Sequence, residues 1–345
     1  MRLQFSSNQT LVSVVACKGA NMIQDCSRAL VTGGCGFIGS HLVDRLLEED
    51  YDVTVIDSLD TGSLEKIDKH RSNHSFHFVK GDIRDYDLVK QTVKDMDAVF
   101  HEAALASVTL SVQNPILANE INVTGTLNLL KVSSDLGVKR FIYASSAAIY
   151  GDTPTPRKVE DMTPNPRSPY GISKLAAENY VRIFHKLYGL ETVSLRYFNV
   201  YGPRQRFDEK WAYGGVISIF LDRLPKNMPP VVHGDGEQTR DFVYVKDVVE
   251  ANMLALKTSS AAGEVFNIGT GKRITVNKVA QLLKQMTNKE NLENVHADSR
   301  LGDIRHGYAD ISKAERILNY VPKFSIEQGL TELVNWYTKK TKHQK

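Results

Sequence analysis

From residue 29 onward, short runs of consecutive apolar residues alternate with longer stretches in which apolar positions recur every three or four residues. The runs ALVTG (29–33), VTVID (53–57), FHFVKGDI (76–83), AVFHEAA (98–104), KRFIYASS (139–146) and TVSLRYFNVYG (192–202) are rich in Val, Ile and Phe, which predicts buried strands. Between them FIGSHLVDRLLEE (37–49), DYDLVKQTVKDM (85–96), TGTLNLLKVSSDLG (124–137) and the segment from Ser168 carry helical periodicity. Strand and helix in strict alternation, with strands apolar on both faces, point to an α/β fold: a doubly wound parallel sheet covered by helices on both sides. After about residue 200 Pro and Gly become frequent (GPRQ, LPKNMPP, HGDGEQ), and the helical stretches VKDVVEANMLALK, VNKVAQLLKQM and IEQGLTELVNWY are separated by loops. The expected division is an extension over 1–27, a sheet domain over 28–200 and a smaller α/β substrate domain over 201–345, with some of its segments returning to the sheet. No internal repeat or low-complexity tract interrupts the pattern.

The first strand runs straight into VTGGCGFIGS, which sets Gly33, Gly36 and Gly39 between a strand and a helix. Glycines there allow a tight turn, let a pyrophosphate approach backbone amides, and let helix and strand pack closely, while the helix N-terminus attracts the anion. Asp57 closes the next strand, about 20 residues on, as the dinucleotide fingerprint of a Rossmann-type sheet requires. Its carboxylate suits ribose hydroxyls and repels a 2′-phosphate, and no Arg or Lys follows it directly, so the cofactor expected is NAD. Cys35, within the loop, reads as a tolerated small residue.

A second chemical signal lies at SPYGISK (168–174). Ser168 suits an N-cap and Pro169 the first helical position, so a helix starts here and Tyr170 and Lys174, four apart, share a face. An ammonium beside a phenol favours the phenolate and lowers the tyrosine pKa toward the range of a useful base. Y-x-x-x-K alone also fits a helix that merely carries both residues; the rest of the chain decides.

At 345 residues and a net charge of +3, with Lys and Arg dispersed among acids, the chain offers no patch that calls for nucleic acid or an acidic membrane. Cys17, Cys26 and Cys35 are odd in number and lack C-x-x-C spacing, which indicates reduced thiols in a cytoplasmic protein and no metal site. The apolar run LVSVVAC before Cys17 is a poor export signal, since only Arg2 supplies a basic start and SSNQT intervenes. Residues 1–21 read instead as a dispensable extension or as a mis-set start, with Met22 just ahead of the first strand. No stretch reaches the length of about 20 apolar residues that a membrane span needs.

TGGCGFIG, GDI (81–83), HEAA (101–104), NVTGT (122–126), SSAAIYG (145–151), YGISK (170–174) and RYFNVYGPRQ (196–205) together resemble the extended short-chain dehydrogenase/reductase family, in particular its nucleotide-sugar 4-epimerases. The resemblance runs from about residue 28 to 340 with the motifs in order. It implies Tyr170 as catalytic base, Lys174 as its pKa-lowering partner and nicotinamide-ribose ligand, and Ser146 as a hydroxyl bonded to substrate. For NAD it implies contacts from Gly33, Gly36, Phe37, Ile38, Gly39, Asp57, Asp82, Ile83, Ala103 and Asn122, besides Tyr170 and Lys174. For the UDP-sugar it implies Ser107, Asn199, Val216, Arg240, Arg300, Asp303 and Gly307, besides Ser146 and Tyr170; arginine forks match a diphosphate. Arg240 also has a purely structural reading, an ion pair with its neighbour Asp241. The family implies a homodimer formed through helices near 115–137 and 169–187.

The activity implied is epimerisation at C4 of a UDP-hexose through a 4-keto intermediate, with NAD regenerated in place. Relatives acting on N-acetylated sugars carry a small residue four positions past the RxGD aspartate, where glucose-restricted ones can carry tyrosine; Gly307 stands there, although glycine also serves simple turns. Ala106 and Ser107 follow HEAAL where glucose-type enzymes often have lysine. The sequence therefore points to UDP-GlcNAc/UDP-GalNAc interconversion, with UDP-Glc/UDP-Gal alongside. A 4,6-dehydratase is disfavoured because Ala147 and Ala148 occupy the positions of its acidic pair. A UDP-glucuronate epimerase or decarboxylase stays open at this stage, as does a non-catalytic NAD-binding scaffold on the same fold.

Overall fold

The computed structural model describes residues 26–153, 155–206, 215–298 and 305–343. Seven strands form one sheet: β1 (Arg28–Thr32), β2 (Asp52–Asp57), β3 (Phe76–Lys80), β4 (Ala98–His101), β5 (Arg140–Ser146), β6 (Glu191–Tyr197) and β7 (Val265–Ile268). Their order across the sheet is β7-β6-β5-β4-β1-β2-β3, and every adjacent pair is parallel. The order reverses between β1 and β4, so the crevice where a doubly wound sheet takes its ligands opens at the carboxyl ends of these two strands.

The apolar runs become strands because both faces are covered. On one face Leu30, Val99, Phe141 and Tyr143 pack with Ala177, Val181 and Phe184 of helix α6, Pro169–Tyr188. On the other, Val31, Phe100, Ile142 and Leu195 pack with Leu42 and Leu46 of α1 (Phe37–Glu48) and with Val248, Ala251 and Ala255 of α8 (Val245–Lys257). The remaining α-helices are α2 (Tyr86–Val93), α3 (Val108–Gln113), α4 (Pro115–Asn119), α5 (Gly125–Asp135), α7 (Gly215–Arg223), α9 (Val276–Met286), α10 (Ser312–Leu318) and α11 (Ile326–His343), and four short two-stranded pairs lie outside the main sheet.

A second apolar cluster joins Phe220 and Leu221 of α7, Val279 and Leu283 of α9 and Leu330 and Leu333 of α11, and builds the wall facing the strand ends. Two segments from beyond residue 201 belong to the sheet layer: β7 extends its edge, pairing Phe266 with Leu195, and α8 covers its face. The expected strands and long helices are present. The elements not anticipated are α3, α7, α10 and the strand β7. Between α4 and α5 one turn over Glu120–Thr124 is wound as a π-helix, a local irregularity that re-aims side chains near functional sites. No helix among the described residues is long and apolar enough to cross a membrane.

Candidate active site

A cleft of about 1270 Å³ runs along the strand ends from Asp57 past Ser146 and Tyr170 to Arg240. Its floor at β1 is the glycine loop. Gly33 has φ +70°, and a Cβ there would lie 2.8 Å from the backbone nitrogen of Ala103. A Cβ on Gly36 or Gly39 would lie 2.8 or 2.3 Å from the carbonyl oxygen of Gly33. The loop therefore folds flat only without side chains at these positions, leaving the start of α1 open to an anion. Asp57 braces the loop: Oδ2 accepts from Cys35 N at 2.9 Å and Oδ1 from Leu59 N at 2.8 Å. Burial pushes its carboxyl up, and those two amides oppose the shift.

Of the anticipated cofactor residues, Gly33, Gly36, Phe37, Ile38, Gly39 and Asp57 line the cleft, as do Asp82, Ile83 and Ala103. Asp82 is held by a bidentate contact with Arg84, whose Nη2 lies 2.6 Å from Oδ2. Asn122 is different. It is buried and outside the cleft wall; its Oδ1 accepts from Leu105 N at 2.8 Å, and its Nδ2 donates to Leu105 O and Ser173 Oγ. Asn122, within the π turn, thus ties that turn to the 103–105 loop.

The other half of the site is a seam between α6 and the end of β5. Ser168 caps α6 by accepting from Gly171 N at 3.1 Å, with Pro169 next to it. Tyr170, Lys174 and Glu178 then follow at intervals of four on one helical face. The Ser146 hydroxyl is within hydrogen-bonding reach of the Tyr170 phenol. Lys174 Nζ donates to Ala144 O at 2.8 Å, and Glu178 Oε2 accepts from Ser145 Oγ at 2.6 Å. Three successive strand residues are thus matched to three successive turns of helix. Glu178 also pairs with Arg196 of β6, through Oε1 at 2.6 Å and Oε2 at 3.0 Å, with both side chains buried.

The Tyr170 phenol and the Lys174 ammonium stand one helical turn apart. Burial pushes that phenol up, the Ser146 hydroxyl opposes the shift, and Glu102 adds to it. A buried ammonium must find an acceptor, and Lys174 finds the Ala144 carbonyl. It also lies 5.0 Å from the Tyr143 ring centroid, and burial lowers its own pKa to about 8. Lys174 itself is outside the cleft wall.

Toward the far end, Asn199, Val216 and Arg240 line the cleft. Asn199 Nδ2 donates to Asp241 O at 3.0 Å and Arg240 Nη1 to Thr239 O at 3.0 Å. The Asp241 carboxylate accepts from Thr270 N, Thr270 Oγ1, Gly271 N and Ala309 N, which gives it a structural role of its own. Ser107 is buried as the N-cap of α3, accepting from Leu110 N, between Ala106 and Val108 of the wall. Gly307 lies beside the pairing of Tyr308 with Arg157 and is not among the cleft-lining residues; a Cβ there would find nothing nearer than Lys158 Cε at 4.0 Å. Arg300 and Asp303 lie outside the described residues.

Sequence reasoning passed over Glu102. It lines the cleft, and its Oε1 accepts from the Tyr197 hydroxyl at 2.7 Å. The signal was present: a carboxylate closes a strand that is otherwise apolar, in HEAA.

Comparison with known proteins gives this geometry its family. Residues 29–269 match the NAD dependent epimerase/dehydratase family. The chain belongs to this family. It is accordingly an epimerase-type enzyme that uses NAD, and the glycine cradle and Asp57 fit that cofactor. A protein of Methanocaldococcus jannaschii provisionally named a UDP-glucose 4-epimerase is 44% identical over 310 residues, covering 89% of this chain and 97% of its own. The crystal structure of UDP-glucose 4-epimerase from Thermotoga maritima with UDP-glucose is 41% identical, with TM-score 0.83 over 91% of this chain and 99% of that one. UDP-N-acetylglucosamine 4-epimerase from Methanobrevibacter ruminantium, in complex with UDP-N-acetylmuramic acid, is 38% identical, with TM-score 0.85 over 91% and 99%.

Proposed function

We propose that this enzyme interconverts UDP-hexoses at C4, with UDP-GlcNAc and UDP-GalNAc as its principal pair and UDP-Glc and UDP-Gal also accepted. The observation that carries the reading is the seam of α6 on β5, which delivers the Ser146 hydroxyl and the Tyr170 phenol together into the cleft that begins at the dinucleotide loop. NAD, when bound over Gly33, Gly36, Gly39 and Asp57, supplies the hydride acceptor and donor.

Tyr170 holds and moves the proton of the sugar 4-hydroxyl, taking it as the carbonyl forms and returning it to the same oxygen as the alcohol re-forms with either configuration at C4. Ser146 steadies the developing oxyanion; its Oγ already accepts from Ala148 N at 3.1 Å, which fixes the hydroxyl for donation into the cleft. Lys174 anchors the helix turn that carries Tyr170. Arg240 at the far end suits the diphosphate, together with Arg300, and Asp303 the uridine ribose.

The preference for an N-acetylated sugar rests on the sequence positions of Gly307, four past Asp303, and of Ala106 and Ser107 after the HEAA motif. Exposed Ile116, Ile172, Tyr180, Ile183 and Leu187 on α4 and α6 support a homodimer through those helices. The free thiols Cys26 and Cys35 support a cytoplasmic setting.

The test is incubation of the purified protein with UDP-GlcNAc, UDP-Glc and UDP-GlcA separately, with products resolved by NMR and Tyr170→Phe as control. Conversion of UDP-GlcNAc, lost by at least about a hundredfold in the variant, is expected. Turnover of UDP-GlcA alone, or undiminished turnover in Tyr170→Phe, overturns the reading.

A further inference from the structure

Glu102 has no part in the chemistry above, yet it is a carboxylate at the cleft wall between the glycine loop and the catalytic seam. Its backbone follows His101, which is in register with Thr32 of β1 and Tyr143 of β5. Its carbonyl carbon would lie 3.1 Å from a Cβ on Gly33, so the segment runs close against the glycine loop.

The carboxylate is held from below. Tyr197, at the end of β6, donates to Oε1 at 2.7 Å, and Asn252 of α8 donates its Nδ2 to the Tyr197 hydroxyl at 2.7 Å. Asn252 Nδ2 also bonds Val248 O at 2.9 Å, which fixes the amide's orientation. The Tyr197 proton is therefore directed at Glu102. Two buried polar side chains on two elements, Tyr197 of β6 and Asn252 of α8, are thus committed to presenting one carboxylate at the cleft. A side chain serving only to fill space there would need neither of them.

The ionisable groups facing Glu102 are Tyr197 of β6 and Lys174 and Tyr170 of α6. His101 next to it is neutral, its pKa lowered to about 3 by burial. Tyr197 is pushed well above its usual range and stays protonated. Burial raises the Glu102 carboxyl to about 7, while the Tyr197 hydroxyl and Lys174 oppose the shift. The carboxylate thus forms across the neutral range, and its negative charge favours a cation nearby over a neutral group of the same shape.

We propose that Glu102, aimed by the Asn252–Tyr197 relay, is a positioning charge that favours the oxidised, cationic form of the bound nicotinamide over its neutral reduced form. Resting enzyme is thereby kept ready to accept a hydride, and hydride return to the sugar is favoured over escape of a reduced complex. The inference rests on NAD occupying the cleft and not on which sugar is turned over.

The test reads cofactor redox state. Holoprotein is equilibrated with a two-electron redox dye, for which reduced dye plus bound NAD⁺ gives oxidised dye, bound NADH and a proton, and NADH is read at 340 nm. Wild type, Glu102→Gln and Tyr197→Phe are compared at the same pH and dye ratio, with folding checked by circular dichroism. At pH 8 the oxidised-to-reduced ratio is expected to be at least about threefold higher in wild type than in Glu102→Gln, with Tyr197→Phe between them. At pH 6, where the wild-type carboxyl has taken a proton, the gap closes. Equal ratios at pH 8 overturn the proposal. So does a gap that persists unchanged at pH 6, because a merely structural effect of the substitution does not titrate. Failure of the UDP-sugar reading would appear separately, as absent turnover in wild type.

Discussion

The Glu178 carboxylate accepts from Ser145 Oγ at 2.6 Å while its two oxygens clasp Arg196. This pair fastens α6 to both β5 and β6 one residue before Ser146 and two turns beyond Tyr170. Arg196 also donates to the Tyr150 hydroxyl at 2.7 Å, and Tyr150 to Asn267 Oδ1 at 2.6 Å, which carries the network to the end of β7. The Ser146 and Tyr170 hydroxyls are thus set beside a buried polar frame of Glu178, Arg196, Tyr150 and Asn267.

Glu178→Gln leaves the Arg196 guanidinium buried without its counter-charge. Removing one member of a buried pair costs about 3–5 kcal/mol, and urea unfolding is expected to show a loss of that size. The double variant Glu178→Gln, Arg196→Met is expected to recover part of the stability. It is not expected to recover kcat, because the register of Ser146 against Tyr170 is no longer pinned.

Gly39→Ala places a methyl group 2.3 Å from the Gly33 carbonyl oxygen. The obstacle is backbone at the turn itself, so the loop must open to make room. The variant is expected to purify with a small fraction of the wild-type NAD content, measured by absorbance after heat release. A full complement of NAD would refute the role given to the loop.

His101 makes acid stability predictable. Thr32 Oγ1 accepts from Ala103 N and meets Nδ1 at 2.8 Å; Thr126 Oγ1 donates to Asn122 O and meets Nε2 at 2.8 Å. Thr126 has spent its proton, so Nε2 carries the hydrogen, and Nδ1 accepts from Thr32. With a pKa of about 3 folded against about 6.5 unfolded, the unfolded chain binds the extra proton between those values. The stabilisation is complete above pH 6.5 and is lost as pH falls toward 3, by up to about 5 kcal/mol. His41, lowered to about 4, acts in the same sense. Glu102 opposes both, since a carboxyl raised to about 7 costs stability as pH rises from its unfolded value. Subtraction isolates the histidine: His101→Gln is expected to flatten the slope of unfolding free energy between pH 4 and 6.5 relative to wild type.

Gly307→Tyr tests the sugar preference. If the space at Gly307 receives the C2 substituent, the variant is expected to lose UDP-GlcNAc turnover by at least about tenfold, equivalent to roughly 1.4 kcal/mol, with UDP-Glc turnover kept. Equal losses on both sugars, or none, would remove the pocket argument.

The strand and helix alternation was legible because both faces of the sheet are buried, which writes each strand as an unbroken apolar run such as VTVID. The seam was half legible. Spacing put Tyr170 and Lys174 on one face, but the direction of the ammonium depends on the Ala144 carbonyl, a backbone atom that no side-chain pattern reports. Glu178 and Arg196 were unreadable as partners because they are brought together by the pairing of β5 with β6 and not by spacing. The bonds of Asn122 to Leu105 were unreadable because the π turn that carries it has no sequence period of its own. The strand β7 was missed because VFNI is short and lies among loops; its strand character comes from Leu195 and Arg196, its tertiary neighbours across the pairing.

That late strand has a bearing on biosynthesis. Until Val265–Ile268 emerges from the ribosome, β6 is a rim with unpaired amides, and the apolar face that α8 shields is bare. Such rims recruit foreign strands. A chain that ends near residue 200 is therefore expected to expose that rim and face and to aggregate more readily than the full chain.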